Sequence, residues 1–276
     1  MRRGGRTGLR LLAAALLGSA GCAGLAHAPR DPSSAPRIFS TTATLRDQPF
    51  DLHLAAPSHP RVGDVLVLYA SGDGGWFGAA VDMFRAVGDA GFYAVGLSTR
   101  TLLHLKQPSG QPLTVAELAE DYQVILDRAS IALNLPPTHG VVLTGWSRGA
   151  SLAVLVGGGR HAPPNLAGVI AIGLEADENL GVSSETDDDP DDKPLVRDPS
   201  SIDMYALISQ VAPARCAVIQ ATGDRYLQAS RARELFGPDT ELRRFYEVPA
   251  KNHRFDGGAE RFVAALQGAL DWTTGK

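Results

Sequence analysis

Cysteine is nearly missing from this chain: Cys22 and Cys216 are the only two among 276 residues. A scaffold built on disulfides is therefore excluded. No group of His, Cys and Asp has the spacing of a zinc site. Neither the G-x-G-x-x-G dinucleotide fingerprint nor a lysine-bearing phosphate loop occurs, so no metal and no cofactor is expected. An excess of base is also lacking, with 26 Lys and Arg against 30 Asp and Glu. Four of those bases, Arg2, Arg3, Arg6 and Arg10, fall in residues 1–22, which hold no acid; the remainder carries 22 bases against 30 acids, a charge of −8. Long-range attraction to nucleic acid is thereby disfavoured, as is a polybasic hold on a membrane surface. No apolar run near the N-terminus is long enough for a comfortable bilayer span: Leu11 to Leu17 is short and is followed by Gly18, Gly21 and Gly24. Internal repeats are absent too.

What the N-terminus does have is the pattern of an export signal: a basic start, a short apolar run and then small residues, over residues 1–22. Ala20-Gly21-Cys22 is similar to the end of a lipobox, in which Cys22 is the lipidated residue. Ala26-His27-Ala28 is the rival cleavage site. Residues 23–37 read as a linker, with three prolines and two serines between Pro29 and Pro36. The expectation is an exported, periplasmic protein, membrane-anchored if Cys22 is lipidated. Cys216 would then be the lone thiol.

Residues 38–276 read as one domain in which strands and helices alternate. Ile38–Leu45 and Phe50–Ala55 have the alternation of an antiparallel edge hairpin, and Val65–Tyr69 the continuous apolar run of a buried parallel strand. Further strands are expected over Phe92–Leu97, Val141–Gly145, Val169–Leu174, Ala217–Ala221 and Arg243–Val248. Helices are expected to about Ala90, over Thr114–Asn134 behind a Thr114/Glu117 capping box, over Arg148–Val156 and over Gly258–Trp272. This is an α/β protein with a mostly parallel sheet covered on both faces.

The chemistry lies in Gly145-Trp146-Ser147-Arg148-Gly149-Ala150. It is a G-x-S-x-G nucleophile elbow in strand–turn–helix context, and it predicts the α/β-hydrolase fold with Ser147 as nucleophile. A serine hydroxyl needs a base, and the base an orienting acid, in the chain order Ser, Asp or Glu, His. Asp224 follows the strand ending at Ala221, and His253 lies between the last strand and the last helix. Glu175, after the strand ending at Leu174, is the competing acid. The oxyanion needs two backbone N–H groups. Arg148 supplies one, and Asp73 or Gly72, in the turn after Val65–Tyr69, the other. Residues 175–192 hold nine acids and no base; from Glu185 onward this reads as a solvated loop.

Ser71-Gly72-Asp73-Gly74-Gly75-Trp76, the elbow, and Asn252-His253-Arg254-Phe255-Asp256-Gly257 together resemble the VirJ/AcvB family of bacterial virulence proteins, over roughly residues 62–272. The resemblance implies an exported α/β-hydrolase that cleaves an aminoacyl ester on a lipid headgroup, lysyl-phosphatidylglycerol above all. The partner it implies is a phospholipid or other ester at the membrane surface, and members have also been linked to secretion of virulence factors. Where that family typically has His-His-Phe-Asp, this chain has Asn252-His253-Arg254-Phe255. A lysyl substrate carries two ammonium groups, for which Glu175 and Asp177 are the candidate partners, with the Asp73 side chain as a third. Trp76 is a further candidate for substrate binding. A general carboxylesterase and a non-catalytic envelope binding protein are the alternatives.

Overall fold

The computed structural model describes residues 35–60, 65–110, 113–137, 139–180 and 201–276. The export segment, Cys22, most of the linker and the acidic stretch from Glu185 lie outside the described residues.

Burial follows the apolar pattern closely. β1 (Arg37–Leu45) and β2 (Gln48–Ala56) alternate between exposed and buried positions, and pair antiparallel through a tight turn. Arg46 and Asp47 in that turn both have positive φ, 49° and 60°, the backbone twist that a two-residue hairpin favours. In β3 (Val65–Ala70) every residue is buried, as expected for a strand covered on both faces. β4 (Tyr93–Leu97), β5 (Gly140–Trp146), β6 (Leu166–Ile172), β9 (Arg215–Ala221) and β10 (Arg243–Val248) complete one sheet, in the order β1-β2-β4-β3-β5-β6-β9-β10. Only β2 runs against the other seven, since both of its neighbours pair with it antiparallel.

Helices cover both faces. α1 (Ala79–Asp89) and α7 (Ala259–Thr273) bury Met83, Phe84, Phe262 and Leu266 on one side. α3 (Val115–Leu133) and α4 (Arg148–Gly157) cover the other, with the shorter α2 (Thr99–His104), α5 (Met204–Leu207) and α6 (Ala229–Phe236). α3 begins with the expected capping box, Thr114 and Glu117 each bonding the other's backbone. Arg46, at the hairpin turn, forms a buried ion pair with Asp121 of α3 and so ties the sheet edge to that helix. Burial raises the Asp121 carboxyl, and Arg46 opposes the rise. Cys216 is buried in β9, and burial pushes its thiol up to about 12, far from reactive thiolate character.

The structure departs from the sequence expectation after the sixth strand, which ends at Ile172 rather than Leu174. Gly173 turns the chain at φ +60°, and the short ribbon of β7 (Asp177–Glu178) with β8 (Ile202–Asp203) follows. Among the described residues no helix is long and apolar enough to cross a membrane.

All the parallel strands deliver their carboxyl ends to one edge. β3 ends in the Ser71–Asp73 turn, β5 in Ser147 and β6 in Glu175; β9 leads to Asp224 and β10 to His253. The chain reverses direction about β3, and such a switch point is where open α/β sheets leave a crevice.

Candidate active site

Ser147 stands between β5 and α4 with φ 56° and ψ −127°, a backbone conformation that side-chain-bearing residues rarely adopt. Its N–H donates to Ile172 O at 2.8 Å, which fixes the turn against the neighbouring strand. Close packing explains the two flanking glycines. A Cβ on Gly145 would stand 2.2 Å from Gly149 O, and one on Gly149 would stand 2.2 Å from Ala70 O at the end of β3. The elbow therefore exists only because both positions lack side chains.

His253 lies in the loop after β10. Asn252 shapes that loop, its Oδ1 accepting from the Arg254 and Asp256 N–H groups, while Phe255 adopts φ +61°. Trp146 Nε1 donates to His253 O at 3.1 Å and so ties the loop to the elbow. The imidazole Nδ1 is 2.6 Å from Asp224 Oδ2. A carboxylate there accepts the Nδ1 proton and leaves Nε2 as the basic nitrogen. Nε2 is buried and has no hydrogen-bond partner among the described residues. Gly173 passes directly beneath the ring: a Cβ there would lie 2.7 Å from His253 Cε1.

Asp224 is 1% exposed and accepts from three directions. Besides His253, Gln220 Nε2 donates to Oδ2 and the Tyr226 N–H donates to Oδ1, each at 3.0 Å. Glu175, the other candidate for the orienting acid, does not hold the imidazole. Its Oε1 accepts from the Ser147 hydroxyl at 3.4 Å, a long bond. Burial raises its carboxyl; the His253 charge lowers it, and Asp73 and Asp224 raise it further.

A cavity of about 440 Å³ opens over these groups. Ser147, Glu175 and His253 line it, as do Gly72 and Asp73 from the turn after β3, Tyr226 beside Asp224, and Arg225 and Arg254. The β3 turn lies close against the nucleophile, since a Cβ on Gly72 would be 3.2 Å from Ser147 Cβ. Arg148 is the first residue of α4, where a backbone N–H points out of the helix end. The Asp73 N–H has no acceptor among the described residues. Both residues adjoin Ser147, Arg148 in sequence and Asp73 across the cavity lining.

Two sequence candidates fall elsewhere. Trp76 does not line the cavity: its ring stacks on His53 at 4.2 Å and packs edge-on against Phe84. It fills the notch above Gly96, where a Cβ would stand 2.1 Å from the indole. Asp177 does not line the cavity either, because it is held in the ribbon opposite Asp203.

Sequence reasoning assigned Arg148 only a backbone role, yet its side chain is 9% exposed and organises the site. Nε donates to Glu178 Oε1 at 3.0 Å, Nη1 to Asp73 Oδ1 at 3.2 Å, and Nη2 to the Asn179 carbonyl. One guanidinium thus joins the turn after β3 to the ribbon strand β7. Glu178 was visible only as part of the acidic stretch. Its carboxyl is pushed up to about 7 by burial, against the opposing pull of Arg148. Tyr226 was also missed; its ring meets the imidazole edge-on at 4.9 Å. Its place two residues after Asp224 was the available signal.

No protein-family profile matches this sequence, and no curated protein matches it. Solved structures do match its fold. The esterase domain of a Rhodothermus marinus protein is 16% identical with a TM-score of 0.55, covering 86% of this chain and 98% of that one. An esterase of Pyrococcus furiosus is 12% identical with a TM-score of 0.58, over 88% and 96%. Est1E of Butyrivibrio proteoclasticus is 12% identical with a TM-score of 0.59, over 86% and 99%. At these identities the likeness establishes the α/β-hydrolase fold and nothing finer.

Proposed function

We propose that this protein is a serine hydrolase of ester bonds, acting through Ser147, His253 and Asp224. The observation that carries the reading is the 2.6 Å Asp224–His253 bond, with the unpartnered Nε2 in the same cavity as the strained Ser147. In the reaction the Ser147 hydroxyl turns from Glu175 to His253 Nε2 and gives up its proton there as Oγ attacks the ester carbonyl. Asp224 holds the tautomer and offsets the imidazolium charge. The oxyanion receives hydrogen bonds from the Arg148 and Asp73 amides. His253 then returns the proton to the departing alcohol. Water, activated by the same imidazole, releases the acid from Ser147.

The substrate we propose is an aminoacyl ester on a phospholipid headgroup, as resemblance to the VirJ/AcvB motifs implies. Glu175 offers negative charge beside the nucleophile, while Arg225 and Arg254 on the cavity wall suit a phosphodiester. Phe77, 66% exposed beside Gly74 at the cavity edge, offers an apolar contact to lipid. Residues 1–22 support export, and lipidation at Cys22 would hold the domain near such a substrate. A general carboxylesterase is the second reading, supported by neighbours that are themselves named esterases. Vesicles of lysyl-phosphatidylglycerol in phosphatidylglycerol separate the two. Lysine release by the wild type and none by Ser147→Ala is expected; Ser147-dependent cleavage of simple esters without lysine release would favour the second.

A further inference from the structure

Glu175 is the one carboxylate in the cavity whose partner is the nucleophile itself. Its hydrogen bond is the 3.4 Å contact from the Ser147 hydroxyl, and no lysine or arginine among the described residues pairs with it. The other acids nearby are provided for: Asp224 by three donors, Glu178 and Asp73 by Arg148, and the exposed Asp256 by Asn252 Nδ2. A largely buried carboxylate with no cation is costly to hold, and a positively charged ligand group relieves that cost.

Covalent geometry decides which group of an aminoacyl ester fits. At the point of attack the reacting carbon sits roughly 3–3.5 Å from the serine oxygen. The α-nitrogen is about 2.5 Å from that same carbon, by ordinary bond lengths and angles. These lengths allow an oxygen 3.4 Å from Ser147 Oγ to hydrogen-bond the α-ammonium. The side-chain ammonium of a lysyl group sits at the end of a four-carbon stem, well away from the reacting carbon. Asp177, the other candidate partner for an ammonium group, does not line the cavity.

We infer that Glu175 binds the α-ammonium group of the acyl moiety, so that the enzyme selects esters of α-amino acids with a free amino group, whatever charge their side chain bears. The inference rests on the ester-hydrolase reading and narrows its substrate class. Of the two ammonium groups of a lysyl ester, it gives Glu175 the one common to all aminoacyl esters. N-acylated amino-acid esters become poor substrates on this account. In the resting enzyme the serine hydroxyl occupies the carboxylate, and the incoming ammonium displaces it towards His253.

The test uses the full chain with four methyl esters: L-alanine and its des-amino partner propionate, L-lysine and its des-amino partner 6-aminohexanoate. Alanine and lysine esters are expected to have kcat/KM within one order of each other. Each should exceed its des-amino partner by about 10- to 100-fold, the worth of one charge-assisted hydrogen bond. Glu175→Gln should collapse both ratios towards one. A lysine ester no better than the 6-aminohexanoate ester would overturn the inference, and so would ratios that survive Glu175→Gln while all rates fall together. Fluorophosphonate labelling of Ser147 in the same preparation separates the two levels. If none of the four esters is cleaved while Ser147 labels, the α-ammonium site falls and the hydrolase reading stands. If labelling fails too, both fall.

Discussion

Asp224 and Glu175 follow adjacent strands of one sheet and open onto the same edge, yet their surroundings are opposite. Asp224 is 1% exposed and receives donors from Gln220, Tyr226 and His253. Glu175 has the serine hydroxyl at 3.4 Å, and burial raises its carboxyl against the opposing pull of the His253 charge. A carboxylate held by three donors of the protein is fixed to orient what it touches. One held ready without a cation has chemistry left for a ligand. The contrast separates a carboxylate held by the protein from one left open to the cavity, which residue type and sequence position could not do.

Arg148 shows the contrast from the other side, because it provides for Glu178 and Asp73 what Glu175 lacks. Arg148→Ala should leave Glu178, whose side chain is 6% exposed, as a buried carboxylate without a cation, and should free the exposed Asp73 side chain to solvent. Breaking a buried pair from one side costs about 3–5 kcal/mol of stability. Release of the Asp73 turn should lower kcat by about 100-fold, the cost of a misplaced oxyanion donor. Arg148→Lys, which keeps the charge but loses the fork, should recover stability more than kcat. Steady-state kinetics alongside thermal melts check both. Equal recovery of the two would make Arg148 a stability residue alone.

A smaller effect concerns Glu175 and pH. A carboxyl raised in the folded state adds stability while protonated and loses it as pH rises through the folded value. Removing the charge should therefore help at alkaline pH and do nothing in acid. Glu175→Gln should melt a few degrees higher than wild type near pH 8, and the two should converge near pH 4. A variant less stable than wild type at both pH values would mean that Glu175 is already satisfied by the protein.

The elbow, the order of Ser147, Asp224 and His253, and the core strands were all legible in the sequence. Each is a local signal: a glycine-flanked serine after an apolar run, or an acid and an imidazole just past strand ends. Trp76 was misjudged because its environment is made by distant strands. His53 comes from β2 and Gly96 from β4, and only their pairing creates the notch that the indole fills. Asp177 and Glu178 looked alike in an acidic run, and a two-residue ribbon sends one away from the cavity and buries the other on Arg148. Which of Asp224 and Glu175 meets the imidazole likewise turned on where His253 leans, a tertiary fact. α6 escaped notice because its buried stripe is only Ala229, Ala232 and Phe236, set among charged residues.

The central claim is that Ser147 is a nucleophile activated by His253 with Asp224 behind it. The rate of covalent labelling by a fluorophosphonate, followed by intact mass, tests it most directly. Wild type should gain one adduct, Ser147→Ala none, and Asp224→Asn should label slower by about 10³–10⁴-fold, as a misoriented imidazole would. Labelling of Ser147→Ala at the wild-type rate, or no labelling of the folded wild type, would contradict it.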